Sequence, residues 1–565
     1  MLKTKKLLAL SLAMFFVSSA LSACDGGMGG FFTEEESENL TSESEDVSLD
    51  PNKTTIYIGN YYGGLGDAWL KDLCRKYEET HPDVQFKVDN DKTKFLLDNI
   101  SSTVKSSRDA LFFVEKIYYY DMVSQGLLAD ISDVVNSSLE EFGDTGTIAD
   151  KLDNSYKVYL AENEVCDGKY YALPTYVSHH HMVYDVDLFE QKKLYISKNS
   201  TEDNIIWING LTANTKSAGV DGVFGTIDDG LPVTWAQFQK LVEKMYSVNV
   251  TPFIWTGQYT DYNKGVMTGL WADYEGKANF ELNYSFNGKS PLYGESSPVT
   301  ITKDNAYRLQ KQTGKKYALD FAKWIASDSR YYASSSSLLT STHLEAQDEF
   351  IASRPSQGTN NVKPIGVIFE GDWWENEARE NGDFTSMVNS YGEEYAYGTR
   401  RFSILPFPKT EGSNERRTIF STSAKNAFFV NNKMSDEIKA IAKDFLKFCH
   451  TETALQTFTS YTGVTRPFEY QITQEQYDSL TYYSKSLYDT YKMDNVDLVY
   501  DLPLCDTLIT NAKYFQSYWK WSTNISGSVY DNPFLDFIND TELSSLDYFK
   551  GLEDYHKTSW STNVK

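Results

Sequence analysis

The stretch from Thr54 to Val88 constrains the fold most. "TTIYIGN" (54–60) is a β-rich run, the turn Gly63-Gly64-Leu65-Gly66 follows, and Leu70, Leu73, Cys74 and Tyr77 then recur at helical spacing until Pro82 stops the pattern. "VQFKV" (84–88) predicts the next strand. A strand, a covering helix and a second strand in so short a span form a βαβ unit, the building block of a parallel sheet sheathed by helices.

The alternation continues downstream. "DALFFV" (109–114) predicts a strand leading into a helical run through Tyr119, Val123 and Leu127. "YYALPTYV" (170–177) contains Pro174, which lacks a ladder donor and belongs at an edge or a crossover, so a first hinge is placed there. "KPIGVIFEG" is another short apolar strand, and "RFSILPFPK" (401–409) again couples a strand to prolines. "AKNAFFV" followed by an amphipathic helix over 436–449 restores the βα signal. With 565 residues the chain exceeds the roughly 250 to 300 at which one core stops growing. Two proline-marked crossovers predict a chain that visits each of two α/β lobes twice. The expected lobes are 54–173 plus about 408–458 (N-terminal) and 174–407 plus about 459–565 (C-terminal).

Residues 1–23 combine a basic start, an apolar core from Leu7 to Val17 and small residues before Cys24, the pattern of a secretory signal. Leu21-Ser22-Ala23-Cys24 resembles the lipobox of bacterial lipoproteins, which makes Cys24 the expected lipidation site and new N-terminus. Residues 24–53 are acidic, serine- and glycine-rich and poor in core formers, so a disordered tether is expected. The net charge of −26 argues against nucleic acid, which needs basic stripes, and suits a self-repelling protein outside the cell. Cys74, Cys166, Cys449 and Cys505 have no metal-ligand spacing and are expected as thiols that pack like small hydrophobes.

Five segments in order resemble family 1 extracellular solute-binding proteins, the maltose-binding-protein-like receptors of ABC importers. They are the opening "TTIYIGNYYGGLGDAWLKDLCRKYEETHPDVQFKV", "YYYDMVSQGLLADISDVV", "GKYYALPTYVSHHHMVYDVDLF", "PIGVIFEGDWWENEA" and "AKNAFFV" with the helices after it. The resemblance implies a two-lobed periplasmic-binding-protein-like fold, with hinge crossovers and a ligand cleft that closes between the lobes. It further implies a monomeric receptor, lipid-anchored on the outer face of the membrane, that captures a carbohydrate such as an oligosaccharide and delivers it to an ABC permease without covalent chemistry. A surface lipoprotein glycoside hydrolase, with paired carboxylates, is the alternative; so is the same fold holding a peptide or other polar solute. Three histidines in the crossover and an insertion-rich middle, 195–360, depart from the family pattern and leave the ligand's identity open.

"EGDWWENEA" (370–378) follows a strand and a Gly-Asp turn, which in the family places a helix start at the cleft. Successive helical positions point about 100° apart, so of Trp373 and Trp374 one ring is expected in the core and one as a sugar platform, with Asp372 and nearby carboxylates as hydroxyl acceptors. Tyr61, Tyr62, Glu115, Tyr176, Trp255 and Tyr259 fall where strands end, the side on which open α/β sheets bind ligands. Gly64 lies in a turn that lets backbone N–H groups approach a ligand. Asp221, Asp228 and Asp229 on the "DGVFGTIDDG" loop read either as a solvated turn or as a calcium site; no cofactor is otherwise required. His179 and His181 share one strand face without an evident third ligand, which favours packing or cleft hydrogen bonding. Neither H-E-x-x-H nor G-x-S-x-G occurs.

Overall fold

A computed structural model describes residues 49–564 apart from 203, 210–214, 354–362 and 518. Cys24, the signal segment and nearly all of the tether lie outside the described residues.

The opening βαβ unit forms as its sequence dictates. Thr54–Asn60 pairs in parallel with Val84–Asn90, from Thr54 opposite Val84 to Asn60 opposite Asn90, and on its other edge with Leu111–Val114. Ala427–Val430 closes this four-stranded sheet antiparallel to Leu111–Val114. Helix Ala68–Thr80 covers the sheet and buries Trp69, Leu70, Leu73, Cys74 and Tyr77, and it ends at His81 ahead of Pro82. Helix Asp436–Phe448, capped by the Ser435 side chain on Ile438 N–H, buries Ala442, Phe445 and Leu446 in the same core.

A second four-stranded sheet carries the other cores. Its order is Thr251–Ile254, Ile365–Gly371, His180–Asp185, Phe402–Leu405; only the first pair is parallel. Helix Thr260–Glu275 packs on it, with Val266, Met267, Leu270 and Trp271 buried. The architecture is therefore α/β, with one core on the first sheet and one on each face of the second, Met182 and Tyr184 pointing into the larger and Val183 into a smaller one that holds Trp374; each is built from distant parts of the chain.

The crossovers differ in detail from the proline-based reading. Residues 170–177 make only a single bridge, Leu173 opposite Phe428, because the side chain of Asn426 takes over: its Oδ1 accepts from Thr175 N–H at 2.6 Å and its Nδ2 donates to Tyr176 C=O at 2.7 Å. The ladder strand begins at His180, and core membership switches between Val177 and Met182. The return passage comes between Phe420 and Ala424 rather than near 408. Pro408 is still held by the second core, its C=O accepting from Tyr317 Oη at 2.8 Å. Nor does the first core end at 458, since Phe458, Val464, Phe468 and Tyr470 all belong to it. The two passages are bonded to each other, Thr422 N–H donating to Ser178 C=O at 3.1 Å. Beside them Arg417–Ser421 pairs in parallel with Val496–Tyr500, and Tyr500 and Leu502 return to the first core.

Cys74, Cys166 and Cys449 are buried free thiols and Cys505 is half-buried; burial pushes the Cys74 thiol well above its ordinary range. Among the described residues no helix is long and apolar enough to cross a membrane.

Candidate functional site

The strand Ile365–Gly371 ends in the turn that carries both tryptophans, and helix Trp374–Glu380 starts there. Trp374 is fully buried in an aromatic cage, edge-on to Phe402 at 4.9 Å, Tyr483 at 5.7 Å and Phe350 at 5.9 Å. It therefore cannot be a ligand platform. Trp373 turns the other way and stays half-buried, edge-on to His180 at 5.1 Å and Tyr262 at 6.0 Å. Its ring folds back over Gly371, where an added Cβ would lie 2.4 Å from Trp373 Cη2; only glycine permits this.

The loop after the first strand meets that turn. A Cβ on Gly64 would stand 2.8 Å from Trp373 Cδ1 and 3.0 Å from Glu377 Cβ, and Tyr62 Oη donates to Glu380 Oε2 at 3.2 Å. Gly64 is thus a contact point between the cores, and Tyr62 is spent on the same contact. Tyr61 stays half-buried beside Glu115; burial first, then Glu115, pushes its phenol well above the ordinary value.

Charged groups from both sides continue from Trp373 along this boundary. Glu115 lies 3.3 Å from Lys116, and Tyr176 stands near Glu115. The Asp261 side chain is 83% exposed, yet it feels Lys264 at 3.1 Å, Lys116 and His180. Groups open to water but ringed by protein are what line a solvent-filled cleft. Surrounding protein alone would raise the Asp261 carboxyl, but the two lysines outweigh it and pull it down to about 2. His180 Nδ1 lies 3.0 Å from Thr422 Oγ1, and burial pushes its imidazole down to about 3, so it enters the site neutral. Lys425 and Lys520 lie 3.5 and 3.8 Å from Asp501. With Tyr118, Tyr159, Tyr284 and Trp519 these three line a cavity of about 90 Å³.

Several expected site residues are elsewhere. Trp255 is fully buried, stacked on Phe369 at 5.4 Å and tilted against Phe534 at 5.0 Å, so it is core. Tyr259 is half-buried, edge-on to His343 at 5.1 Å. Asp372 is buried and turned toward His179 and His181 instead of solvent. The carboxylates around the tryptophans are equally occupied. Glu375 accepts from Thr481 Oγ1 at 2.6 Å, while Gln347 Nε2 bridges Glu370 and Glu377 at 2.9 and 3.0 Å. In that pair burial and Glu377 push Glu370 well up, whereas His343 and Gln347 overcome burial and draw Glu377 down to about 2.

On the 221–230 loop, Asp228 is fully buried and closes the turn, accepting from Val220 N–H at 2.7 Å, Asp221 N–H at 3.1 Å and Thr226 Oγ1 at 2.8 Å. Asp221 and Asp229 accept from Val223 and Gly225 N–H, both within the loop. These bonds close the loop and leave Asp229 Oδ1 buried without a hydrogen-bond partner; among the described residues the three aspartates are not a converging ligand group. Lys116, Tyr262, Asp261, Lys425, Asp501 and Lys520 were not singled out in the sequence, and His180 stood out only as part of the run of three histidines. Lys116 and the Asp261-Tyr262 pair adjoin residues that were; the others carry no local signal.

The model of the family described as "Bacterial extracellular solute-binding protein" matches residues 62–338. Over those residues the sequence matches this family. Solved structures of the same fold include RafE in complex with raffinose, at 13% identity and a TM-score of 0.52, with 90% of this chain and 99% of that one covered. A chitin oligosaccharide binding protein aligns at 14% identity and 0.52, covering 90% and 100%. BlMnBP1, a binding protein of an ABC transporter from Bifidobacterium animalis subsp. lactis in complex with mannobiose, aligns at 13% and 0.51, covering 90% and 95%. No curated protein matches the sequence significantly. The α/β arrangement on two sheets is consistent with the two-lobed fold of these structures.

Proposed function

We propose that this solute-binding protein captures a carbohydrate, an oligosaccharide, at the outer face of the membrane and delivers it to an ABC permease. The observation that carries this is the half-buried indole of Trp373 at the cleft, beside the neutral imidazole of His180 and the phenol of Tyr262, with Glu115, Lys116 and Asp261 within the same wall. An aromatic platform flanked by donors and acceptors of both kinds suits a sugar, whose ring offers an apolar C–H face and a rim of hydroxyls. The raffinose, chitin-oligosaccharide and mannobiose receptors of the same fold support the class of ligand. Gly64 packs against Trp373 and Glu377 from the opposite side of the cleft, so the lobes part to admit the sugar and close on it. The carboxylates nearest Trp373 are committed to internal partners, which supports binding without hydrolysis.

The anchor is Cys24, diacylated after cleavage of residues 1–23, with the acidic segment as tether; two acyl chains hold a protein stably where one does not. The receptor acts as a monomer. It requires no cofactor for sugar binding, and calcium added at the 221–230 loop is expected to leave the melting temperature unchanged because Asp228 already has its partners. A glycan array probed with the protein lacking residues 1–53, followed by titration calorimetry with each hit, tests the function. Binding of no glycan, or release of cleaved product from a labelled one, refutes it. Retention of a Cys24→Ala variant in the membrane fraction refutes the anchor.

A further inference from the structure

Asp372 sits at the junction of three segments. His179 and His181 flank His180 on the first strand out of the hinge, and the antiparallel register His180 opposite Gly371 brings them to the residue after the neighbouring strand. Asp372 Oδ1 lies 2.9 Å from His179 Nδ1 and 3.3 Å from His181 Nδ1, and the three side chains are 0 to 6% exposed. Tyr491, on helix Tyr482–Lys492, donates to Asp372 Oδ2 at 2.7 Å and lies 2.8 Å from His179 Nδ1.

Two buried atoms here have no hydrogen-bond partner, His181 Nδ1 and Asp372 Oδ1, and they face each other. The tautomer of His181 follows from its other nitrogen. Tyr483 Oη donates to Gly371 C=O at 3.2 Å, so at its 2.9 Å contact with His181 Nε2 it accepts, and Nε2 carries the ring proton. Nδ1 is then a bare lone pair 3.3 Å from a buried carboxylate oxygen. Two acceptors in that position need a cation. Among the described residues no lysine or arginine pairs with the carboxylate.

Tyr491 Oη, whose own proton goes to Asp372, accepts from His179 Nδ1–H; we propose that this ring proton shifts to Nε2 when His179, His181 and Asp372 bind a divalent transition metal of the Zn²⁺ class at the hinge. Tetrahedral Zn²⁺ with ligand bonds of about 2.0 to 2.2 Å sets its donors about 3.3 Å apart, close to the two separations found. A metal shared by two donors lies off the line joining them, whereas a shared proton wants to lie on it; the short but unaligned Nδ1···Oδ1 approach fits the metal. Two imidazoles and one carboxylate favour zinc over calcium or magnesium. Tyr491 fixes the second carboxylate oxygen, the support that ligating carboxylates usually have.

The placement gives the metal a structural task. Ser178, immediately before His179, bonds the returning chain at Thr422, and Asp372 immediately precedes Trp373. The ion would pin the hinge strand to the turn that aims the cleft tryptophan. Its binding does not depend on what the cleft holds.

The full chain, stripped with a chelator, is to be titrated with Co²⁺ and then Zn²⁺, following visible absorption, metal content and melting. The expected result is one Co²⁺ per chain with the d–d absorption of a low-coordinate nitrogen/oxygen centre, displaced by Zn²⁺, and a rise in melting temperature on loading. His181→Gln and Asp372→Asn should abolish the centre, and Tyr491→Phe should weaken it about tenfold or more. Three results overturn the proposal: no d–d band in the wild type, a thiolate-to-metal charge-transfer band, or equal metal content in folded His181→Gln. The wild-type spectrum decides even where a variant fails to fold.

Discussion

Gly64 tests lobe closure because it touches the opposite lobe without belonging to its core. Its φ is not positive, so alanine is acceptable to the backbone and the perturbation is steric alone. The new Cβ would meet Trp373 Cδ1 at 2.8 Å, Trp373 Cβ at 3.1 Å and Glu377 Cβ at 3.0 Å, none of them the free end of a flexible chain. Trp373 is itself braced by His180 and Tyr262, and Glu377 by Gln347 and His343, so relief must come from the lobes moving apart. Overpacking of this kind costs about 1 to 3 kcal/mol, and here it falls on the closed state only. Sugar affinity in Gly64→Ala should therefore drop about 5- to 150-fold, while the melting temperature without sugar barely changes. Calorimetry with the sugar identified on the array measures the first, and small-angle scattering should show that saturating sugar compacts the variant less than the wild type. Because the clash is chiefly with the indole, the penalty should shrink in a Trp373→Ala background, a non-additivity that a double-mutant cycle reads directly. Wild-type affinity and compaction in Gly64→Ala would falsify the idea that this contact is part of closure.

Trp373→Ala should weaken sugar binding by roughly thirty-fold or more with a small change in melting. Trp374→Ala should instead cost about 3 to 5 kcal/mol of stability, since the ring is fully buried among Phe350, Phe402 and Tyr483; calorimetry and thermal melts separate the two, and a reversed pattern refutes the assignment. Burial raises the Glu375 carboxyl from 4.5 to about 7. The unfolded chain releases this proton near 4.5 and the folded protein only near 7, so stability is lost as pH rises through that window. Glu375→Gln, which still accepts from Thr481, should flatten that fall and stabilise the protein above pH 7 by on the order of 3 kcal/mol; equal pH slopes in melts of the two proteins count against it. Arg400 is buried, donating to Asp185 Oδ2 from Nη2 at 2.5 Å and Nε at 3.0 Å and to Ile351 C=O at 2.7 Å. Arg400→Ala strands the carboxylate that also caps helix Val186–Lys192 and should cost about 3 to 5 kcal/mol by denaturant unfolding; a loss under 1 kcal/mol, about the worth of a surface pair, contradicts this.

The helix 68–80, its apolar stripe and the strands on either side were legible because each depends on residues a few positions apart: periodicity, a proline stop and β-branched runs are read within one window. The same local geometry required that adjacent tryptophans at a helix start diverge. Which of them lies inside was not local, since it depends on Phe402 and Tyr483 arriving from a distant strand and helix. Prolines marked the hinge region but not the switch itself, which is set by the Asn426 side chain satisfying the backbone at Thr175 and Tyr176 and by the Ser178 to Thr422 bond. The aspartates of the 221–230 loop were visible as hard oxygens, yet only the folded turn shows Asp228 consumed by its own backbone. Asp372 is the sharpest case. As one carboxylate beside two indoles it reads as a sugar contact, but antiparallel pairing across nearly two hundred residues sets it against His179 and His181 instead. Local spacing determines what each segment can become; which face is buried and which polar groups meet is decided by strand pairing between distant segments, because desolvation and ion pairing act between atoms in contact however far apart they stand in the chain.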